Sequence, residues 1–322
     1  MPGDTEPPSL AEIDAALAAV LVPHIWWNGK AEGRLRATGR AGLLRVLGLW
    51  YQKGYPPQPP FDDPLKDERD PIGRIDSWNS ALATVATANG SAYIDEIEAG
   101  RVRFDPGSGS GAVDVVINLA SLDDPRALPL IERCATSSEW LVRYHAARSR
   151  AENALLRTLT AFFAGRSDVF VASGCPVLYL LEERFGWIRP DALVAVGAPK
   201  LPPRFVYRVW DEGVPPTVII NVTTKLGLSG GSDEQRRAAA WATMGVAECF
   251  YCHLEYESPR LNQPDPQFAG FRLDGGVYRP IEPEADGALR SEALGLLLRR
   301  EEGGRLALFD ARTGVRLRPN GG

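Results

Sequence analysis

The chain has 322 residues, 44% hydrophobic and 24% charged, with a formal net charge of −5. That length supports two domains, or one large one, with a full core, and the composition is that of an ordinary soluble globular protein. The acidic balance argues against binding nucleic acid by charge alone, but it is uneven: residues 1–144 carry 14 basic and 20 acidic side chains (net −6), and residues 145–322 carry 22 and 21 (net +1). The back half can therefore still approach a phosphate backbone.

The start, Met1-Pro2-Gly3-Asp4-Thr5-Glu6, has no basic region of the kind a signal peptide needs, and no apolar run is long enough to span a bilayer. Four cysteines (Cys134, Cys175, Cys249 and Cys252) do not make a disulfide framework in a chain this size. These features predict a cytoplasmic protein with no membrane partner.

Ser9-Leu10-Ala11-Glu12 is a capping-box pattern, and Leu10, Ile13, Leu17 and Val20 follow at helical spacing, so a first amphipathic helix is expected. A second is predicted over 34–51 with Leu43, Leu44, Leu47 and Trp50 inward. Tyr55-Pro56-Pro57-Gln58-Pro59-Pro60 cannot continue it, because proline lacks the amide donor, and it reads as a rigid surface loop. Ser77 to Ala88 is a third helix, and the segment Asp105 to Gly111 reads as a flexible glycine-rich loop.

Over 112–148, Asp123-Asp124-Pro125-Arg126-Ala127-Leu128-Pro129-Leu130-Ile131 leads into Glu139-Trp140-Leu141-Val142-Arg143-Tyr144-His145-Ala146-Ala147. This resembles a HEAT-like helical repeat, with small alanines allowing close approach and Leu128, Ile131, Leu141 and Tyr144 filling the seam. A single helical hairpin fits the same residues. Such a helical surface suits a protein partner.

From Arg148 the texture changes. A helix over 151–164 precedes eight short apolar runs: Val169–Ala172, Val177–Leu181, Ala192–Val196, Val218–Val222, Cys249–His253, Gly270–Leu273, Leu294–Arg299 and Leu306–Phe309. A helix over Asp233 to Met244 lies between the fourth and fifth. The pattern predicts an α/β (α+β) domain with a mixed central sheet, behind an N-terminal helical region covering 1–147. Near-helical spacing of Leu141, Tyr144, Ala151, Leu155 and Leu159 predicts one continuous helix across the junction.

Several groups in this half recur in a fixed order: Glu152-Asn153, Arg189-Pro190-Asp191, Trp210-Asp211-Glu212-Gly213, Met244-Gly245-Val246-Ala247-Glu248, and Phe271-Arg272-Leu273-Asp274-Gly275-Gly276. The tail adds Ala285-Asp286-Gly287 through Ser291-Glu292-Ala293-Leu294-Gly295-Leu296, then Asp310-Ala311-Arg312-Thr313-Gly314. In this order residues 148–318 resemble the Uma-type restriction endonuclease family, a branch of the PD-(D/E)XK nucleases. The resemblance implies a restriction-endonuclease-like fold, DNA as a partner, a homodimer as one arrangement, and Mg²⁺-dependent phosphodiester hydrolysis. Its site would comprise Glu152 on the first helix, Asp191 at the mouth of one core strand, Asn221 in the next, and Arg237 on the following helix. Asp191 and Glu152 would be the metal ligands, all converging at one edge of the sheet.

Two of these positions depart from the family pattern, which places Glu where Asn221 stands and Lys where Arg237 stands. Thr224 occupies the usual Ser position with Lys225 beside it, and Trp241 replaces a Tyr. Mg²⁺ is held through carboxylates and waters, and Asn221 offers only a neutral carbonyl oxygen. The missing charge weakens the metal by a few kcal/mol, from a Coulomb scale of roughly 4 kcal/mol at 4 Å. Arg237 can stabilise a phosphorane but, with a pKa above about 12, cannot act as a base. The two expectations are therefore a nuclease with an altered, weakly metalled site, or a pseudo-nuclease scaffold that has lost catalysis.

Other motifs carry less. Cys249-Phe250-Tyr251-Cys252-His253 has the haem-attachment string, but it falls where an apolar strand is expected, with Cys249 and His253 on one face and Cys252 on the other. Zinc would need a fourth ligand, and His24, His145, Cys134 and Cys175 lie far away in sequence. No nucleophile elbow supports a serine hydrolase. Trp26, Trp27 and Trp50 read as core or interface residues rather than base-stacking platforms.

Overall fold

The computed structural model describes residues 7–21, 29–50, 71–102, 104, 110–181, 184–200, 206–223, 232–253, 268–301 and 305–319. The proline-rich segment at 55–60, Asp105 to Gly109, His24, Trp26, Trp27, Thr224 and Lys225 lie outside the described residues. The front of the chain is helical: α1 (Leu10–Val20), α2 (Gly29–Ala37), α3 (Gly39–Trp50), α4 (Pro71–Ala88), α5 (Gly90–Glu98), α6 (Ser110–Ala120), α7 (Ala127–Cys134) and a long α8 (Trp140–Phe162).

The first helix starts at its capping box, with the Glu12 amide donating to Ser9 Oγ and the Ser9 amide donating to Glu12 Oε2 at 2.8 Å. The helix expected over 34–51 is two helices. Gly39 takes φ +58, a left-handed conformation that only glycine adopts readily, and the Thr38 hydroxyl donates back to the Leu35 carbonyl. Leu43 and Leu47 are buried as expected, but Leu44 is exposed and Val46 and Leu49 are buried in its place; the Trp50 side chain is not among those described. Ser110 and Gly111, read as loop, open α6.

The repeat-like pair is α7 and α8, but in a different phase. Ala127, Leu130 and Ile131 pack with Val142 and Ala146, whereas Leu141 is exposed and Leu128 and Tyr144 are only half-buried. Both α6 and α7 lie against α8, so its buried stripe follows Val142, Ala146, Ser149 and Asn153 at the 3.6-residue period. Asn153 closes that contact, its Nδ2 donating to the Leu122 carbonyl at 2.7 Å.

The back half supplies β1 (Val169–Ser173), β2 (Val177–Leu181), β3 (Arg184–Ile188), β4 (Ala192–Val196), β5 (Tyr207–Arg208), a one-turn α9 (Val209–Glu212), β6 (Val218–Thr223) and α10 (Ser232–Met244). Then come β7 (Glu248–His253), β8 (Phe268–Asp274), β9 (Val277–Pro280), β10 (Leu289–Ser291), β11 (Leu296–Arg300) and β12 (Leu306–Asp310). The fold is α+β with a mixed central sheet. All eight apolar runs fall on strands; of the other described strands β5, β9 and β10 have two to four residues, and β3 is interrupted by Gly186.

The central sheet has the order β1-β4-β6-β7-β8-β9, antiparallel except for the β6–β7 pair. Two three-stranded sheets, β3-β2-β5 and β10-β11-β12, flank it. Strand alternation divides the core. Val169, Ala192, Val194, Val218, Ile220 and Val222 pack with Leu155 and Leu159 of α8. Leu193, Ala195, Ile219 and Cys249 pack on the other side with Ala240 and Trp241 of α10. Thus α8 belongs to two cores: Val142 and Ala146 to the helical one, Leu155 and Leu159 to the sheet.

Candidate functional site

Arg148 and Glu152 stand four residues apart on α8, which places them on one face, and Arg148 Nε donates to Glu152 Oε1 at 2.7 Å. The same Nε lies 3.1 Å from Asp191 Oδ1, and Nη2 of Arg148 pairs with that oxygen as well. Asp191 sits in the bend just before β4, and its other oxygen accepts the Val222 amide at 2.6 Å. In a regular ladder that amide would find a carbonyl on the neighbouring strand, so the carboxylate finishes the sheet where the backbone turns away. On the far side the Asp191 carbonyl accepts the Gly174 amide at 3.0 Å, tying in the end of β1.

The charges are nearly closed off from water, with Asp191 4% and Glu152 5% exposed. Burial works against the Arg148 charge, but Asp191 and Glu152 outweigh it and hold the guanidinium above its ordinary value. Burial, then the neighbouring Asp191, pushes Glu152 up to about 8, against the pull of Arg148 and Arg189. At neutral pH Glu152 is therefore largely protonated, beside a charged Arg148 guanidinium. His145, two turns before Glu152 on α8, is lowered to about 4 by burial and by Arg148 and Arg189, so it is uncharged at neutral pH.

Asp191 and Glu152 thus meet through an arginine. Asn221 lies level with Asp191 across the β4–β6 pair, by extension of the Ala192↔Ile220 register, and is half-buried. Strand alternation places it with Ile219, on the α10 side of the sheet, whereas Glu152 comes from the α8 side. Arg237 belongs to α10, and its side chain is not among those described.

These residues do not fit Mg²⁺ as they stand. A magnesium ion needs oxygen ligands at about 2.0–2.1 Å and several retained waters. Here the space between the carboxylates is filled by a guanidinium that already neutralises them, and a dication would have to displace it. Among the described residues no group of three or more His, Cys, Asp or Glu side chains could hold a metal ion.

Sequence reasoning passed over Arg148, although Arg and Glu at i, i+4 on a predicted helix is a readable ion-pair signal. It also missed a second polar knot. Glu248, 1% exposed, accepts from Arg272 Nε at 3.1 Å, from the Glu292 amide at 3.0 Å and from the Ser291 hydroxyl. Three of the family-like markers, Glu248, Arg272 and Ser291, thereby join β7, β8 and β10. The Cys-x-x-Cys pair lies in β7, buried and not disulfide-bonded, and burial pushes Cys249 up to about 12 and Cys252 up to about 11. Such thiols are packing residues rather than nucleophiles at neutral pH.

Compared with known proteins, the sequence matches no family model and no curated protein.

Proposed function

We propose that this chain is a nuclease-type domain put to non-catalytic use: a pseudo-nuclease scaffold whose acid pair cross-links helix to sheet, with the helical half offering surface to a protein partner. The observation that carries this reading is Arg148, whose guanidinium occupies the place between Asp191 and Glu152 that a catalytic cation would need. Asn221, where the family places a second strand carboxylate, points the same way: it is neutral, and strand alternation puts it on the α10 side of the sheet, away from Glu152. The nuclease resemblance supports the fold and the ancestry of the site; the side chains support loss of the chemistry.

Calorimetric titration with Mn²⁺, beside a supercoiled-plasmid cleavage assay, tests this. The wild-type chain is expected neither to bind Mn²⁺ at millimolar concentration nor to nick the plasmid. Nicking that requires Mn²⁺ and is lost in Asp191→Asn would overturn the proposal. The variant Arg148→Met vacates the place between Asp191 and Glu152 and should gain Mn²⁺ binding that the wild type lacks.

A further inference from the structure

The outer edge of the central sheet is β1, which has β4 on one side and, among the described residues, no strand on the other. The register shows which of its backbone groups are spent. Gly174 donates to the Asp191 carbonyl and Gly197 donates to the Asp168 carbonyl, so the even-numbered residues of this segment bond to β4. In an antiparallel ladder the alternate residues then direct their N–H and C=O outward. Those residues are Val169, Val171 and Ser173.

They do not face open solvent. A groove of about 390 Å³ runs beside this edge, and every residue from Val169 to Cys175 lines it. Its far wall comes from the helical half, with Ser91 at the start of α5 and Leu122 and Asp123 in the turn after α6; its floor is Leu156 and Phe163. Ser173 is 6% exposed, and its hydroxyl has no hydrogen-bond partner among the described residues. A buried, unspent hydroxyl next to a row of unspent amides is costly unless something else completes it.

The charge of the wall narrows what that is. The Asp123 side chain is 56% exposed and forms an ion pair with Arg157 at 3.9 Å, too long for a hydrogen bond. Asp124 beside it is satisfied by Arg126 and Ser91. Asp123, exposed and without a hydrogen bond among the described residues, is thus the wall's carboxylate open to a further cation above the apolar floor, in a groove that Lys200 also lines.

From these features we infer that the β1 edge and its groove form a docking site for an extended peptide of a partner protein, which adds as a strand beside β1, lays apolar side chains on Leu156 and Phe163 and sets a lysine or arginine against Asp123. Main-chain pairing would supply the affinity, and alternate side chains the selectivity. This inference stands on groups other than Arg148, Asp191 and Glu152, and so does not depend on whether the carboxylate cluster is catalytic.

The test uses the full chain and an acetylated, amidated probe peptide, Thr-Val-Lys-Val-Thr-Val, read by amide hydrogen exchange and by titration. The probe is expected to protect the amides of Val169, Val171 and Ser173, and to leave those of Phe170 and Ala172, already bonded to β4, unchanged. N-methylating the probe at every second amide should abolish binding in one phase and spare it in the other, because only one set faces β1. Val171→Pro removes an outward N–H without touching the β4 ladder and should weaken the probe about tenfold, the worth of one or two hydrogen bonds. Should that variant fail to fold, Asp123→Lys, at an exposed turn, should weaken the lysine probe and favour its Lys→Glu counterpart. Absence of protection at the three amides, or equal binding of both N-methylated probes, would overturn the inference. A concentration-dependent dimer dissolved by Val171→Pro would do so too, by showing a second copy of the chain at this edge.

Discussion

Replacing Arg148 with methionine removes the charge of the guanidinium and keeps a chain of similar reach. Two unit charges in contact, about 4 Å between centres, interact by roughly 4 kcal/mol at an effective dielectric near 20, which sets the scale for Arg148 and Asp191. Breaking a buried pair from one side costs about 3–5 kcal/mol, and because the Arg148 side chain is 33% exposed the loss should sit near the lower figure, at about 3 kcal/mol. The cost should depend on pH. Without the arginine, Glu152 loses a partner that pulls its pKa down, so its folded pKa stands further above the unfolded one. The folded state then holds the proton more tightly than the unfolded, so stability is greatest below the unfolded value and falls as pH rises. In the wild type the same sign applies to Glu152: its contribution is complete below 4.5 and is lost toward about 8, at no more than about 1.4 kcal/mol per pH unit. Urea unfolding of both proteins at pH 5.0 and 7.5 reads the difference. The deficit of Arg148→Met should be about 3 kcal/mol at the higher pH and distinctly smaller at the lower, where Glu152 keeps its proton at less cost relative to the unfolded chain. A deficit below about 1 kcal/mol at both values, or one equal at both, would refute the electrostatic account of the cluster.

The helical half should show the opposite pH response. Glu96, held by Arg101 and also by Arg40, is lowered to about 2, so its contribution is present above 4.5 and lost as pH falls through 2. Glu96→Ala should cost about 1.5–3 kcal/mol at pH 7, the worth of charge-assisted hydrogen bonds, because both arginines are more than half exposed and regain water; acid-unfolding curves compare the two proteins. Ala147→Pro should interrupt α8 between its two cores, costing about 3 kcal/mol or more, and hydrogen exchange should then show the helical half and the sheet opening at different urea concentrations. A single unchanged cooperative transition would show that other contacts, such as Asn153 on Leu122, are enough to couple them.

The apolar runs from Val169 onward, the capping box at Ser9 and the glycine stop after Met244 are local signals, and each element formed where its own sequence asked for it. The same holds for the helix that carries Ala151, Leu155 and Leu159 across the junction. What the sequence left undecided depends on partners distant in the chain. The phase of α8, with Val142 inward and Leu141 outward, follows from α6 and α7 meeting the helix at an angle that a single helix cannot encode. The short strands β3, β5, β9 and β10 exist because a neighbour offers hydrogen bonds, not because their residues alternate. The same division applies at the site. Glu152, Asp191 and Asn221 could be picked out by type and position along the chain, but whether two carboxylates hold a metal or a guanidinium depends on which cation the fold brings between them. The tertiary structure brings Arg148, because one turn of α8 spaces it from Glu152 and the end of β4 delivers Asp191 from 43 residues away. Charge neutralisation at short range is a property of that meeting and cannot be read from any one segment.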